Sequence, residues 1–221
     1  MRLCVVFSKG SEVRFVSHLD VQRLFQRAFR RAKLPLAYSQ GFNPHPLISF
    51  ATALSVGYTS RGEYLDVTLT EDISCGDFLN AVQGVLPAGI SIVDVFDLGE
   101  LRKSLTSAMR SADYTVKAEI ERPIAYDKLK AALDDLLSRE IIVDKKTKGG
   151  IKPTDIRPMV ISAEIAELND NEAVFSLSGV LSAEGGLNPE MFLNELFKRL
   201  GLNAVFDTER TRIVLDRELL K

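Results

Sequence analysis

The side chains in this sequence with most scope for chemistry crowd into its first fifty residues. His18 and His45 are the only imidazoles of the chain. His18 follows Ser17 at the start of a helical pattern, so it falls in a first turn. There the helix dipole disfavours a cation and leaves a neutral ring able to donate, accept or act as general base. The same place suits a histidine that only packs or caps. His45 stands between Pro44 and Pro46 in the run YSQGFNPHP, where Gly41 and Asn43 tolerate turn conformations. Such a loop is stiff and presents Tyr38, Phe42, Asn43 and His45 to a ligand, or else serves as a crossover from helix to strand. Arg23, Arg27 and Arg30 recur at i, i+4 and i+7, which puts three guanidiniums on one side of a helix. Arg31 and Lys33 widen that stripe. A basic face followed by aromatic residues suits single-stranded RNA better than a duplex groove, and a solvated face is its plain alternative.

Other chemistries find no support. Cys4 and Cys75 are the only cysteines, and their spacing is that of isolated buried thiols rather than metal ligands. No three-cysteine cluster could hold an iron–sulfur centre. Phosphate-loop, dinucleotide and nucleophile-elbow glycine motifs do not occur. No His, Cys or carboxylate spacing points to zinc, and neither a metal nor a cofactor is expected. No catalytic residue is assigned.

Elements of ordinary composition must position these groups. The chain has 221 residues, 46% hydrophobic and 26% charged, enough for a sizeable core. Its net charge of −2 is uneven. Residues 1–50 carry eight Lys or Arg against two acids, a balance of +6, and the remainder carries twenty against twenty-eight, a balance of −8. No apolar run approaches the ~20 residues that span a bilayer, and a cytoplasmic protein is expected. RLCVVFSK reads as a strand. Val21, Leu24, Phe25, Ala28, Phe29 and Ala32 then keep the helical period, after a capping pair of Ser17 and Asp20. ISFATAL, EYLDVTLT, the helix DFLNAVQGVLPAG and the strand ISIVDVFDL complete the order strand, helix, strand, strand, helix, strand. The second half follows loosely, with strand ADYTVKAEI, helix YDKLKAALDDLLSRE and short strand IIVDKK. A loop KTKGGIKPTDIRP carries an exposed basic tip of Lys145, Lys146, Lys148 and Lys152 around Gly149–Gly150. A hairpin around Asn169–Asn171 follows, then a helix from Pro189 to Gly201 and a last strand. The expected fold is α+β, with two tandem ferredoxin-like (split βαβ) domains built on antiparallel sheets. The expected boundaries are 1–98 and 113–221, joined by a linker over 99–112.

The runs F-V-S-H-L-D at 15–20, R-A-F-R-R-A-K-L-P at 27–35, Y-S-Q-G-F-N-P-H-P-L-I-S-F-A at 38–51 and E-Y-L-D at 63–66 resemble the radical SAM-linked protein domain family. D-I-R-P at 155–158 and N-P-E-M-F-L at 188–193 are weaker landmarks, and Asn188 stands where the family tends to have a basic residue. The resemblance implies association with a radical SAM, cobalamin-type enzyme, and no catalytic role is carried over with it. The function expected is a non-catalytic accessory module that binds RNA or a nucleotide-bearing substrate for a separately encoded radical SAM enzyme. Its binding candidates are His18, Arg23, Arg27, Arg30, Tyr38, Phe42, Asn43 and His45. Two alternatives stay open. One is a metal-independent endoribonuclease of tandem ferredoxin-like architecture, and the other is a protein-only scaffold. A shared site joining His18 to the Asn43–His45 loop is a further expectation.

Overall fold

In the computed structural model, which describes residues 1–99, 103–147 and 150–216, the chain is mixed α/β with antiparallel strand pairing. It has five α-helices among the described residues. It divides into two compact units, one of Met1–Arg110 with the C-terminal segment from Arg212, the other of Ser111–Thr211.

The first unit begins with β1 (Arg2–Lys9), a single turn of 3-10 helix at Ser11–Val13 and α1 (His18–Arg31). It continues through β2 (Ile48–Phe50), β3 (Thr59–Thr68), α2 (Cys75–Gln83), β4 (Ile90–Asp97) and the short α3 (Leu105–Ala108). Its strands pair antiparallel in the order β4-β1-β3-β2, with Val5 opposite both Leu65 and Val95, and Phe50 also opposite Leu65. The helical period of α1 dictates its packing. Val21, Phe25, Ala28 and Phe29 are buried and Leu24 is partly so, while Arg23, Arg27 and Arg30 point to solvent. Phe25 lies edge-on to Phe7 at 4.7 Å between ring centres, and Phe29 to Phe78 at 5.5 Å. Leu3, Val5, Leu65 and Val67 complete the core from the sheet.

Local chemistry sets the ends of α1. Ser17 Oγ accepts from the Asp20 N–H at 3.2 Å and donates to Asp20 Oδ2 at 2.7 Å, the capping pair expected from the sequence. The helix stops at Arg31, ahead of Pro35. Lys33 takes a left-handed φ of 54°, so that Leu34 N–H reaches Phe29 O at 3.1 Å and Lys33 N–H reaches Arg30 O at 3.0 Å. That pair of bonds is a Schellman closure, here built on a lysine where glycine is usual.

The second unit contains most of β5 (Met109–Ile120), α4 (Tyr126–Leu137), β6 (Ile142–Thr147) and β7 (Gly150–Asp155). After these come β8 (Val160–Asn169), β9 (Glu172–Ser182), the two-residue β10 (Gly185–Gly186), α5 (Pro189–Leu200) and most of β11 (Ala204–Leu215). β9 pairs antiparallel with β5, β8 and β10. The expected hairpin turns at Asp170, at φ 44°. α5 opens as expected, with Asn188 Oδ1 accepting from Met191 N–H at 3.0 Å ahead of Pro189, and it closes on Gly201 at φ 64°. Leu129, Leu133, Phe175, Phe192 and Phe197 are buried between these layers.

β7 departs from the loop expected there. It pairs only with β6, as a separate two-stranded ribbon that accommodates Pro153 opposite Asp144. Asp155 clamps the ribbon's base, its Oδ1 accepting from both Ile141 N–H and Arg157 N–H at 2.9 Å. Arg157 then donates to Leu137 O at 2.6 Å and Val160 O at 3.0 Å, closing the end of α4. The D-I-R-P landmark thus has a structural use. Lys148 and Gly149 of the expected basic tip lie outside the described residues, as do residues 100–102 of the expected linker. No helix among the described residues is long and apolar enough to cross a membrane.

Candidate nucleic-acid interface

The exposed face of α1 is the natural starting point, because three of its four arginines make no ion pair among the described residues. Every other described arginine is engaged. Arg2 is clasped by Asp66, Arg14 donates to Gly57 O, and Arg110, Arg139 and Arg199 reach carboxylates. Arg157 closes α4, Arg122 contacts Gly201 O and Glu121, and Arg61, Arg210 and Arg212 also have partners. On α1 itself Arg23 donates to Asp20 Oδ1 at 2.9 Å, a contact that helps hold that carboxyl below its ordinary range after the hydrogen bond from Ser17. Arg27, Arg30 and Arg31 alone make no hydrogen bond or ion pair among the described residues, and all three are exposed. Sequence spacing selected Arg23, Arg27 and Arg30. Arg31, which widens that stripe in the sequence, is exposed like Arg27 and Arg30, and Arg23 is engaged by its neighbour Asp20.

The loop after α1 continues from the same end of the helix. Ala37 N–H donates to Thr68 O and Leu47 N–H to Ala37 O, both at 2.9 Å, fixing the loop's two ends on β3 and on each other. Inside it Ser39 N–H donates to His45 O at 2.9 Å. Ser39 Oγ accepts from His45 N–H at 3.1 Å and shares a second hydrogen bond with His45 Nδ1 at 2.9 Å. His45 is therefore a clasp for the loop. Beyond that clasp Phe42 is wholly exposed, Tyr38 is 42% exposed, and Asn43 is exposed. A fully solvated phenylalanine on a clasped loop is a ready surface for stacking a base.

His18 stands elsewhere. It opens α1, whereas the loop departs from the helix's last turn and returns into β2 at Ile48–Phe50. Its ring packs edge-on against Phe50 at 5.3 Å. The Gln22 amide nitrogen donates to its Nε2 at 3.1 Å, which leaves the ring proton on Nδ1. Around it lies a small cavity lined chiefly by Phe7, Val16, Val21, Leu54, Lys9 and Glu63, with about 10 Å³ open to water, room for about one molecule. Lys9 and Glu63 are buried there. Burial pushes the Lys9 ammonium below its ordinary value, which Glu63 opposes and Arg14 reinforces. Lys9 Nζ donates to Arg14 O at 2.9 Å. Burial, with the charge of Lys9, also lowers the His18 pKa. His18 rests on Phe50 and Gln22, and His45 is bound to Ser39 within its own loop, so the described contacts join neither imidazole to the other. Lys9 and Glu63 were not singled out from sequence. The available signal was strand alternation, which puts Lys9 on the face of Phe7 and Glu63 on the face of Leu65.

No group of three or more His, Cys, Asp or Glu among the described residues is placed to hold a metal ion. Cys4 is buried, and burial, with Asp66 and Asp94, pushes its thiol up to about 12.

Two solved structures share this architecture. A chain of a Cbf5–Nop10–Gar1 complex superposes with a TM-score of 0.54 at 13% identity, covering 95% of this chain and 48% of that one. A chain of an H/ACA ribonucleoprotein bound to a substrate RNA containing 2′-deoxyuridine gives a TM-score of 0.50 at 12% identity, covering 95% and 47%. This chain thus spans about half the length of either, and at such identity the likeness is one of fold. No curated protein matches the sequence. A family model matches residues 2–189, and the chain belongs to that family, described as "Uncharacterized protein conserved in bacteria (DUF2344)".

Proposed function

We propose that this chain is an accessory module, without chemistry of its own, that binds single-stranded RNA and presents it to a separately encoded radical SAM enzyme. The observation that carries the RNA half is the concentration of unpaired arginines. In a chain of net charge −2, Arg27, Arg30 and Arg31 carry three exposed positive charges on one helix with no hydrogen bond or ion pair, Asp20 acting on Arg27 only at a distance. Releasing counterions from phosphates is the main source of affinity for nucleic acid, and charges already paired with carboxylates contribute little to it. Phe42 and Tyr38, beyond the helix's C-terminal end, favour bases that are unstacked. The strand order β4-β1-β3-β2 supports a split βαβ reading of the first unit, and two such units remain the proposed plan. Likeness of fold to chains from RNA–protein complexes is consistent with RNA as ligand. The enzyme half rests on the resemblance of residues 14–66 to radical SAM-linked domains.

The test is fluorescence anisotropy with a labelled, unstructured 12-nucleotide RNA and the matching duplex. The strand should bind more tightly than the duplex. Tyr38→Ala with Phe42→Ala should weaken the strand by about ten-fold or more, since one stacked base is worth roughly 1–3 kcal/mol. Equal affinity for strand, duplex and heparin would refute recognition of single-stranded RNA. Cleavage of the RNA without added metal would instead favour the endoribonuclease alternative. The Lys9–Glu63–His18 cluster would then be the place to look.

A further inference from the structure

One face of α1 is not simply open to solvent. Leu24, Arg27, Ala28 and Arg31 fall at i, i+3, i+4 and i+7, a single stripe of the helix. That stripe forms one wall of a groove whose other wall is the turn Gly84–Pro87 after α2. The open space is about 530 Å³, within the roughly 300–1,000 Å³ typical of small-molecule sites. Leu24, Ala28, Val85, Leu86 and Pro87 supply the apolar half of a lining that is about equally polar, and the two guanidiniums are the only charged groups on it. Neither makes a hydrogen bond or ion pair among the described residues, although Arg27 feels the charge of Asp20. The end of α2 works against an anion, since a helix C-terminus carries about half a negative charge. Two full positive charges on the facing wall outweigh it, so the groove's field is positive.

We infer that this groove receives a nucleotide phosphate. Its oxygens would lie on Arg27 and Arg31, and the adjoining sugar against the apolar wall of Val85, Leu86 and Pro87. The argument is one of matching chemistry. Guanidinium forks pair with phosphate oxygens in two-pronged fashion, and residues four apart on a helix are close enough to share one phosphate. No aromatic side chain lines the groove, so it offers no stacking surface of its own. Base stacking falls instead to Phe42 and Tyr38, on the loop that follows α1. This inference rests on the RNA reading for its natural ligand, a nucleotide of a bound strand, and a free mononucleotide is the other source of the same chemistry.

Gly84 allows a test that leaves every charge in place. Its φ is −76° and a Cβ there meets nothing within 4 Å, so a larger residue is tolerated by the backbone and enters open space. Isothermal titration of the full chain with uridine 5′-monophosphate and with the 12-nucleotide RNA should be run on wild type, Gly84→Leu and Arg27→Gln/Arg31→Gln. Loss of charge-assisted hydrogen bonds to phosphate should weaken binding of the occupying ligand about ten-fold or more in the double variant, with a clear loss in Gly84→Leu as well. If the mononucleotide binds and both variants weaken it while RNA fails to bind, the groove stands and the RNA reading falls. If RNA binds and both variants weaken it, the strand is the source. If RNA binds wild type and Gly84→Leu equally, and the mononucleotide binds neither or binds both equally, the groove inference is overturned and the RNA reading survives. Should Gly84→Leu not fold, the double arginine variant decides through the mononucleotide: unchanged affinity, or none in wild type, overturns the groove. Absence of binding by both ligands to wild type removes both.

Discussion

Replacing Phe25 with alanine should destabilise the first unit by about 4–5 kcal/mol, at the upper end of the roughly 3–5 kcal/mol usual for a buried phenylalanine. The structure gives the reason for the upper end. Phe25 is wholly buried and meets Phe7 at 4.7 Å, Phe29 at 5.6 Å and Phe50 at 5.8 Å between ring centres. Each such aromatic pair adds about 0.5–1.5 kcal/mol beyond simple burial. Neighbours drawn from β1, β2 and α1 itself cannot all collapse into the space left behind. A typical domain has about 5–15 kcal/mol to lose, so the variant should sit near its unfolding threshold. Urea denaturation followed by far-ultraviolet circular dichroism reads this directly, as a lower midpoint with an unchanged slope for the affected transition. Phe25→Leu, which refills part of the space, should lose less than half as much. A loss below about 1 kcal/mol for Phe25→Ala, a value normal for exposed sites, would mean that α1 does not pack on this sheet through the face described. The orientation of the arginine stripe would then be wrong as well.

Two further outcomes follow from burial and charge. A thiol reagent at neutral pH should modify Cys75, which is partly exposed, and leave Cys4 untouched until the chain is unfolded; rapid labelling of both in the native protein would contradict the placement of β1. His18 has a folded pKa lowered below 6.5 by burial and then by Lys9. The unfolded chain therefore takes up the proton first, and stability is complete above pH 6.5 and falls as pH drops toward the folded value. His18→Gln should flatten that part of the stability profile, and an unaltered slope would show that the ring is not buried as described.

Much of the first unit was legible because local signals and tertiary packing agree. Ser17 and Asp20 announce α1, the apolar stripe from Val21 to Phe29 fixes which face is buried, and the arginines follow on the other side. Pro189 and Gly201 bound α5 for the same reason. What sequence did not yield is set by partners distant along the chain. β7 was hidden by Pro153 and the glycines before it, and its pairing depends on the clamp at Asp155. The start of β3 at Thr59 is polar and lacks alternation, so the strand seemed to begin at Glu63. Which arginines form an ion pair cannot be read from the stripe's spacing alone, since Asp20 bonds Arg23 three residues on and acts on Arg27 only through its charge. The expectation that His18 and His45 share a site rests on the loop returning past the helix flank before strand two begins near Ile48. In the structure Phe50 and Gln22 engage His18, and Ser39 gives His45 a task within its own loop.

The claim that Arg27, Arg30 and Arg31 form a phosphate-binding face is tested most directly by the salt dependence of RNA affinity. The dissociation constant of the 12-nucleotide strand should be measured between 50 and 200 mM salt for wild type and for the triple variant to glutamine. All three side chains are exposed and make no hydrogen bond or ion pair among the described residues, so the triple variant should retain its unfolding midpoint to within about 0.5 kcal/mol. Each phosphate contact on a single strand contributes about 0.7 to the slope of log affinity against log salt, so the variant's slope should be shallower by about 2. Over that salt range the difference amounts to roughly fifteen- to twenty-fold in relative affinity. A wild-type protein with no salt dependence, or a triple variant with the wild-type slope, would contradict the account.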